Sequence, residues 1–418
     1  MRRIGVAILV GMSTIAGASC TQARDTSEIR LGALYPLSGS QGPGGRDEYR
    51  GVELAVRFVD EDGGVAGRQV VLQPVDVASG DEAPAAIDGL ADRGIDIVLG
   101  SYGSTISQPA AAEAGRRGLL FWETGAVGSM APPDAAGSLF FRVAPAGQTL
   151  GSDAVSFIAH RLAPMLRRSA ASLRFGVVSV DDVYGRSVGD GAVQEIRALG
   201  LPYAGRVSYD PAHLDATRLV RGLARSRPDV LFVAAYLDDG IALRRAMVRE
   251  RLPLVANIGT SSSYCMPAFG RTLGADAVGV YASDKLDSEY VDPAGLTPSG
   301  RAIYRRASEA YEDRYGTEMS AAALAGFSSA WALLHEVMPA AVAPTPASIA
   351  EAALRTRLPI GSLPNGSGLA FGAPGSTDAG SNLRAMSVIW EWVGPGERAV
   401  VWPPRFATEP VDPIRIGA

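Results

Sequence analysis

Short apolar runs alternate with amphipathic stretches along most of the chain, and this alternation restricts the fold more than any other feature. Ile29 to Leu37 (IRLGALYPL) predicts a buried strand, and Asp47 to Asp62 predicts a helix with Val52, Ala55, Val56 and Val59 on one face. Gly63-Gly64 then stops that helix by supplying left-handed backbone angles. Strands are expected at Gln69–Val77, Asp96–Gly100, Leu119–Trp122 and Leu139–Val143, with helices at Pro84–Asp92 and Gln108–Arg117 between them. The series restarts with strands at Arg174–Val180, Tyr203–Tyr209, Val230–Ala235 and Leu254–Ile258, separated by helices at Arg186–Leu199, His213–Arg225 and Asp239–Arg249. Strand–helix alternation of this kind implies parallel sheets covered on both faces and joined by right-handed crossovers. Two series, one before about Gly147 and one after it, predict an α/β chain of two doubly wound parallel-sheet lobes. Pro298 to Met338 is expected to be mainly helical, Pro344-Thr345-Pro346 marks a break, Asn365–Asn382 is a Gly- and Ser-rich connection, and late strands are expected at Ser387–Val393 and Ala399–Trp402.

The first twenty residues have the character of an export signal. Arg2-Arg3 precedes an apolar run from Ile4 to Gly17, too short to span a bilayer as a helix, and small residues lead to Cys20. The arrangement resembles a bacterial lipoprotein signal (residues 1–19) with Cys20 as the lipidated first residue and residues 20–27 as a polar tether, although an ordinary secretory signal is an alternative. A disulfide between Cys20 and Cys265, the two cysteines of the chain, is a competing arrangement. Of the 418 residues, 47% are hydrophobic and 20% charged, the proportions of a globular protein, with a net charge of −5. There is no basic stripe to suggest nucleic acid, and Lys285 is the sole lysine. Two cysteines and three scattered histidines argue against a metal site.

G-x-x-x-x-G-K-[ST], H-E-x-x-H and C-x-x-C do not occur, and the glycines from Gly39 to Gly45 are not spaced as a dinucleotide fingerprint. That segment is expected to be a flexible strand-to-helix loop. Asp181-Asp182 and Asp238-Asp239 follow predicted strands, where ligand sites of α/β proteins collect.

Five segments, in order, resemble the periplasmic leucine/isoleucine/valine-binding protein family, the type I solute-binding proteins of ABC importers. They are IRLGALYPLSGSQGPGG, RGVELAVRFVDEDGGVAGRQVVLQPVD (Arg50–Asp76), IDIVLGSYGSTISQP (Ile95–Pro109), DDVYGRSVGDG (Asp181–Gly191) and PDVLFVAAY (Pro228–Tyr236). The resemblance implies two lobes joined by a three-crossover hinge that closes on a ligand. Residues 28–146 and 283–382 would form lobe one; residues 147–282 and 383–418 would form lobe two. It implies an exported, lipid-anchored monomer with permease and ATPase subunits as partners, no cofactor and no catalysis. A sensor signalling to a membrane partner is the alternative; a Rossmann-like enzyme is disfavoured by the missing nucleotide fingerprint.

By matched position, Ser104 and Thr105 would meet a ligand carboxylate, Gly125, Ala126 and Val127 would offer backbone groups, and Tyr184 and Tyr236 would come from the second lobe. Asp182 and an aromatic wall from Trp122 complete the candidate set. Amino-acid binders of this family hold the α-ammonium with acidic side chains in segments that here read NIGTSSS (Asn257–Ser263) and, near Gly147, APAGQT. Neither contains Asp or Glu, and a buried ammonium without an anion is strongly disfavoured. Unless Asp181, Asp182, Asp238 or Glu123 reaches the cleft, the pocket suits an uncharged polar ligand or a carboxylate without an amine. If Cys20 carries the membrane anchor, Cys20→Ala moves the protein from the membrane pellet to the soluble fraction; a variant that still pellets with membranes contradicts the anchor.

Overall fold

The computed structural model describes residues 28–130, 139–289 and 291–413, so the signal and tether readings, Cys20 included, lie outside the described residues. The first series comprises β1 (Glu28–Tyr35), α1 (Gly42–Glu61), β2 (Gln69–Asp76), α2 (Ala83–Asp92), β3 (Ile97–Gly100), α3 (Ser104–Arg116), β4 (Leu120–Glu123) and β5 (Phe140–Arg142). The second comprises α4 (Gly147–Phe157), α5 (Ala163–Met165), β6 (Phe175–Val180), α6 (Val183–Ala198), β7 (Tyr203–Tyr209), α7 (Ala216–Ser226), β8 (Val230–Ala234), α8 (Leu237–Arg249), β9 (Ala256–Thr260), α9 (Ser261–Tyr264), α10 (Pro267–Leu273) and β10 (Tyr281–Asp284). Three more helices, α11 (Pro298–Tyr315), α12 (Ala321–Trp331) and α13 (Pro346–Arg355), precede a closing hairpin of β11 (Val388–Gly394) and β12 (Glu397–Trp402).

Two sheets result. The first runs β2-β1-β3-β4-β5, all parallel. The second runs β7-β6-β8-β9-β10-β11-β12, parallel as far as β10, with the antiparallel hairpin added at its edge. The central strands β3, β6 and β8 are buried at every position, as strands covered on both faces must be. The parallel part of each sheet has the same doubly wound order, with switch points between β1 and β3 and between β6 and β8. Residues just beyond the carboxyl ends of those four strands are therefore placed for ligand contact.

The chain passes from one sheet to the other three times among the described residues. After Arg142 it enters α4, which packs on α6; after Asp284 it returns to α11 and α12 beside α1; before Val388 it crosses again. This is the two-lobe α/β arrangement expected from the strand–helix alternation.

Several elements differ in extent from the sequence expectation. The Gly42–Gly45 stretch is the first turn of α1, not a loop. A Cβ on Gly44 would lie 2.3 Å from Cζ of Tyr102, and one on Gly45 would lie 2.0 Å from the Pro36 carbonyl oxygen. These glycines admit close neighbours rather than lend flexibility. Helix α3 starts at Ser104, four residues before the predicted start, so Ser104 and Thr105 occupy its first turn.

Helix α1 lies against α12 with backbones almost touching. A Cβ on Gly51 would sit 2.0 Å from Ala323 O, and one on Gly326 would sit 2.1 Å from Glu48 O. Gly51→Ala must separate the helices, at a cost of about 1–3 kcal/mol for an overpacked core contact. Urea unfolding of this variant is expected to show a lowered midpoint; a wild-type midpoint contradicts the close approach.

Candidate functional site

The site is built from the carboxyl ends of both sheets. From the first sheet, β3 delivers Ser101, Tyr102 and Ser104, and β4 delivers the Glu123–Val127 turn. Ser104 is buried, and its Oγ accepts the Gly128 N–H at 2.9 Å. Thr105 is half-buried, and its Oγ1 accepts from Gln41 Nε2 at 3.1 Å. The Gly125 and Ala126 N–H groups, expected to face ligand, are both taken by Glu123 Oε1, at 2.9 and 2.8 Å. The carbonyl of Val127 accepts the Gly147 N–H at 2.6 Å, across the first chain crossing. This turn is thus held by the protein's own groups.

Trp122 does not form a cleft wall. It is fully buried, its indole N–H donates to Ser329 O at 2.9 Å, and its ring lies 5.7 Å from Phe141 and 5.4 Å from Phe371. In the β4 alternation it points into the helix-covered core, the ordinary fate of a tryptophan at a buried strand end.

The second sheet contributes aromatic and acidic groups. Asp182 caps α6 by accepting the Gly185 N–H at 2.8 Å and also accepts the Tyr236 hydroxyl at 2.6 Å. Tyr184 is buried with its ring 5.4 Å from that of Tyr236. Its hydroxyl has two long contacts of 3.4 Å, donating to Thr260 O and accepting the Ser262 N–H. The structure therefore brings Asp182, Tyr184 and Tyr236 together. Of the other acids weighed, Asp181 pairs with Arg186 at the surface, Asp238 is exposed, and Glu123 is buried with Oε1 bound to its own turn and Oε2 without a partner among the described residues.

Four residues that the sequence reading did not place in the candidate site influence its groups or one another: Glu48, Tyr102, Asp284 and Lys285. Burial raises the Tyr102 phenol, and the charges of Glu48, Cys265 and Asp284 add to the shift. Burial likewise raises Tyr184, with Asp284, Cys265 and Asp182 contributing. Tyr102 in turn helps raise Tyr236. Groups from both sheets thus share one electrostatic neighbourhood. The sheets' layers also touch at the rim, where a Cβ on Gly128 would lie 2.6 Å from Cβ of Ser104 and 2.8 Å from Cγ1 of Val183.

Lys285 follows β10 and is buried, with Nζ donating to Gly125 O at 2.9 Å. Glu48, on α1, is fully buried; its Oε1 accepts from the Thr124 hydroxyl at 2.6 Å, and Tyr35 OH lies 2.8 Å from the same hydroxyl. A Cβ at Gly125 would fall 1.8 Å from Glu48 Oε2, so any side chain there would displace this carboxyl group. Burial pushes the Glu48 carboxyl up to about 8, with Lys285 opposing and Glu123 reinforcing the shift. Burial also pushes Glu123 up to about 7, against the pull of Ser107, the Gly125 N–H and Arg142. No group of three or more acidic, histidine or cysteine side chains among the described residues is arranged to hold a metal. A separate cavity of about 700 Å³ lies on the outer flank of the first sheet, between α1, β2 and Arg314.

Because the folded Glu48 carboxyl binds its proton more tightly than the unfolded one, the folded state gains stability below the unfolded value of 4.5 and loses it as pH rises through about 8. The melting temperature is expected to fall between about pH 5 and about pH 8, and Glu48→Gln is expected to flatten that fall. An unchanged slope in the variant contradicts a protonated, buried Glu48.

Comparison with known proteins identifies the family and agrees with the fold. The periplasmic binding protein family model matches residues 28–383. The chain is 26% identical over 404 residues to the Leu/Ile/Val-binding protein homolog 8 of Brucella abortus, covering 96% of this chain and 97% of the relative. The Leu/Ile/Val-binding protein homolog 7 of Brucella melitensis is 26% identical over 313 residues, 74% of this chain and 76% of the relative. The same fold occurs in the leucine-binding protein LivK of Thermotoga maritima, with TM-score 0.72 at 17% identity over 89% of this chain and 97% of that one. It occurs also in a solute-binding protein of R. palustris solved with benzoate, with TM-score 0.69 at 16% identity over 94% of this chain and 99% of that one. The chain belongs to the periplasmic binding protein family of the leucine/isoleucine/valine-binding type, a family that binds solutes and does not transform them.

Proposed function

We propose that this protein is an extracytoplasmic solute-binding lipoprotein of an ABC importer, which captures a small amino-acid-like, amide or carboxylate ligand by closing two lobes upon it. The observation that carries the proposal is the convergence of Tyr102 from the first sheet with Tyr184, Tyr236 and Asp182 from the second, at the switch points of both. Residues 28–146 with 283–382, and 147–282 with 383–418, act as the two jaws. The three crossings of the chain serve as the hinge, and Cys20 as the anchor. The relatives' names support the ligand class: two are Leu/Ile/Val-binding homologs, and solved neighbours are described with leucine, isoleucine or benzoate. Binding energy then serves to select the closed form, which is the signal a permease reads.

A thermal-shift screen against amino acids, amides, ureas, aromatic acids and dicarboxylates is expected to find stabilising compounds, because a ligand of the native state raises its stability by mass action. Affinity is expected to be micromolar or tighter, about −8 kcal/mol or better. Tyr184→Ala and Tyr236→Ala are each expected to weaken binding of the best compound in calorimetry while the variants remain folded by circular dichroism. Wild-type affinity in both variants contradicts the site.

A further inference from the structure

The seam between the sheets retains a carboxylate oxygen that the protein does not satisfy. Asp284, the last residue of β10, is 3% exposed. Its Oδ2 lies 2.6 Å from the Cys265 thiol, which burial and the Asp284 charge keep protonated and able to donate. Its Oδ1 is buried and has no hydrogen-bond partner among the described residues. The same carboxylate acts on the phenols of Tyr102, from the first sheet, and Tyr184, from the second. It lies at the carboxyl end of β10, beside the end of β9 that carries the Thr260 carbonyl reached by the Tyr184 hydroxyl.

An unpartnered carboxylate oxygen in such a place carries a desolvation cost that a cation from outside would remove. The protein's nearby cations point elsewhere. Lys285 is directed to Gly125 O, and Arg398 forms an ion pair with Asp287 and bonds to Cys265 O. Tyrosine rings suit the same guest, since their faces attract organic cations.

We propose that Asp284 is the anionic anchor of the ligand site, its free Oδ1 receiving a cationic nitrogen of the solute while Tyr102, Tyr184 and Tyr236 wall that nitrogen in. The ligand class is then a small organic cation or zwitterion bearing a primary or substituted ammonium. This inference rests on the solute-binding reading above and refines it. The segments Asn257–Ser263 and Ala144–Thr149 contain no acid, and Asp284 supplies from β10 the charge they lack.

The test uses the full chain and matched compounds differing in one cationic nitrogen: leucine against isocaproate, phenylalanine against hydrocinnamate, and choline against its neutral carbon isostere dimethylbutanol. Thermal shift and calorimetry are expected to detect binding by at least one nitrogen-bearing member and not by its counterpart. Asp284→Asn is expected to weaken that binding by about 30-fold or more, the loss typical of removing one partner of a buried charge pair. Comparable affinity for both members of a pair, or undiminished affinity in Asp284→Asn, overturns the inference. So do hits in the wider screen confined to neutral or purely anionic compounds, which leave the solute-binding reading standing and show that Oδ1 is served by water only. Silence from every compound overturns the solute-binding reading and the inference with it. The paired comparison on the wild-type protein needs no variant, so misfolding of Asp284→Asn does not shield the proposal.

Discussion

A single ammonium group ties the end of one sheet to the loop of the other. Lys285 leaves β10 at the second chain crossing and donates to the carbonyl of Gly125, in the turn that follows β4. A buried lysine is costly unless its charge is compensated, and the dipole of the Gly125 carbonyl that accepts from Nζ contributes to that compensation. Glu48 in turn presses against the α-carbon of Gly125, while Glu123 draws the N–H groups of Gly125 and Ala126 inward. The turn is fixed from three sides by groups belonging to the fold.

That fixation distinguishes the first sheet's turn from groups on the second. On the first sheet the expected ligand contacts at Ser104, Gly125 and Ala126 are already engaged with protein partners. On the second sheet the Tyr184 hydroxyl is loosely held and one oxygen of Asp284 is open. A hydrogen bond already made inside the protein must be exchanged before it can serve a ligand, whereas an unmet group gains directly from one.

The centres of the sheets were legible from the sequence because their strands are buried on both faces. Runs such as RFGVVSV and VLFVAA can only be core strands once amphipathic helices separate them. The tyrosines after β6 and β8 were legible for the same reason, since a strand end locates its edge. Strand β10 was missed because its four residues, YASD, mix polar and apolar side chains and end on an acid. With it went Asp284 and the position of Lys285. Helix α4, rich in Gly, Ser and Ala, also escaped; it packs closely on α6, where a Cβ on Gly151 would lie 2.0 Å from Val188 O. Trp122 was misassigned because a strand end cannot by itself say which face its last residues take. Nothing in the sequence marked Glu48, which is buried where α1 packs against the returning α12.

The account stands or falls on closure of the two jaws over a small solute. Small-angle X-ray scattering of the full chain, with and without a saturating amount of the strongest binder, tests this directly. The account predicts a contraction of the radius of gyration on binding, lost when the solute is dialysed away. Tight binding with an unchanged scattering curve would contradict it.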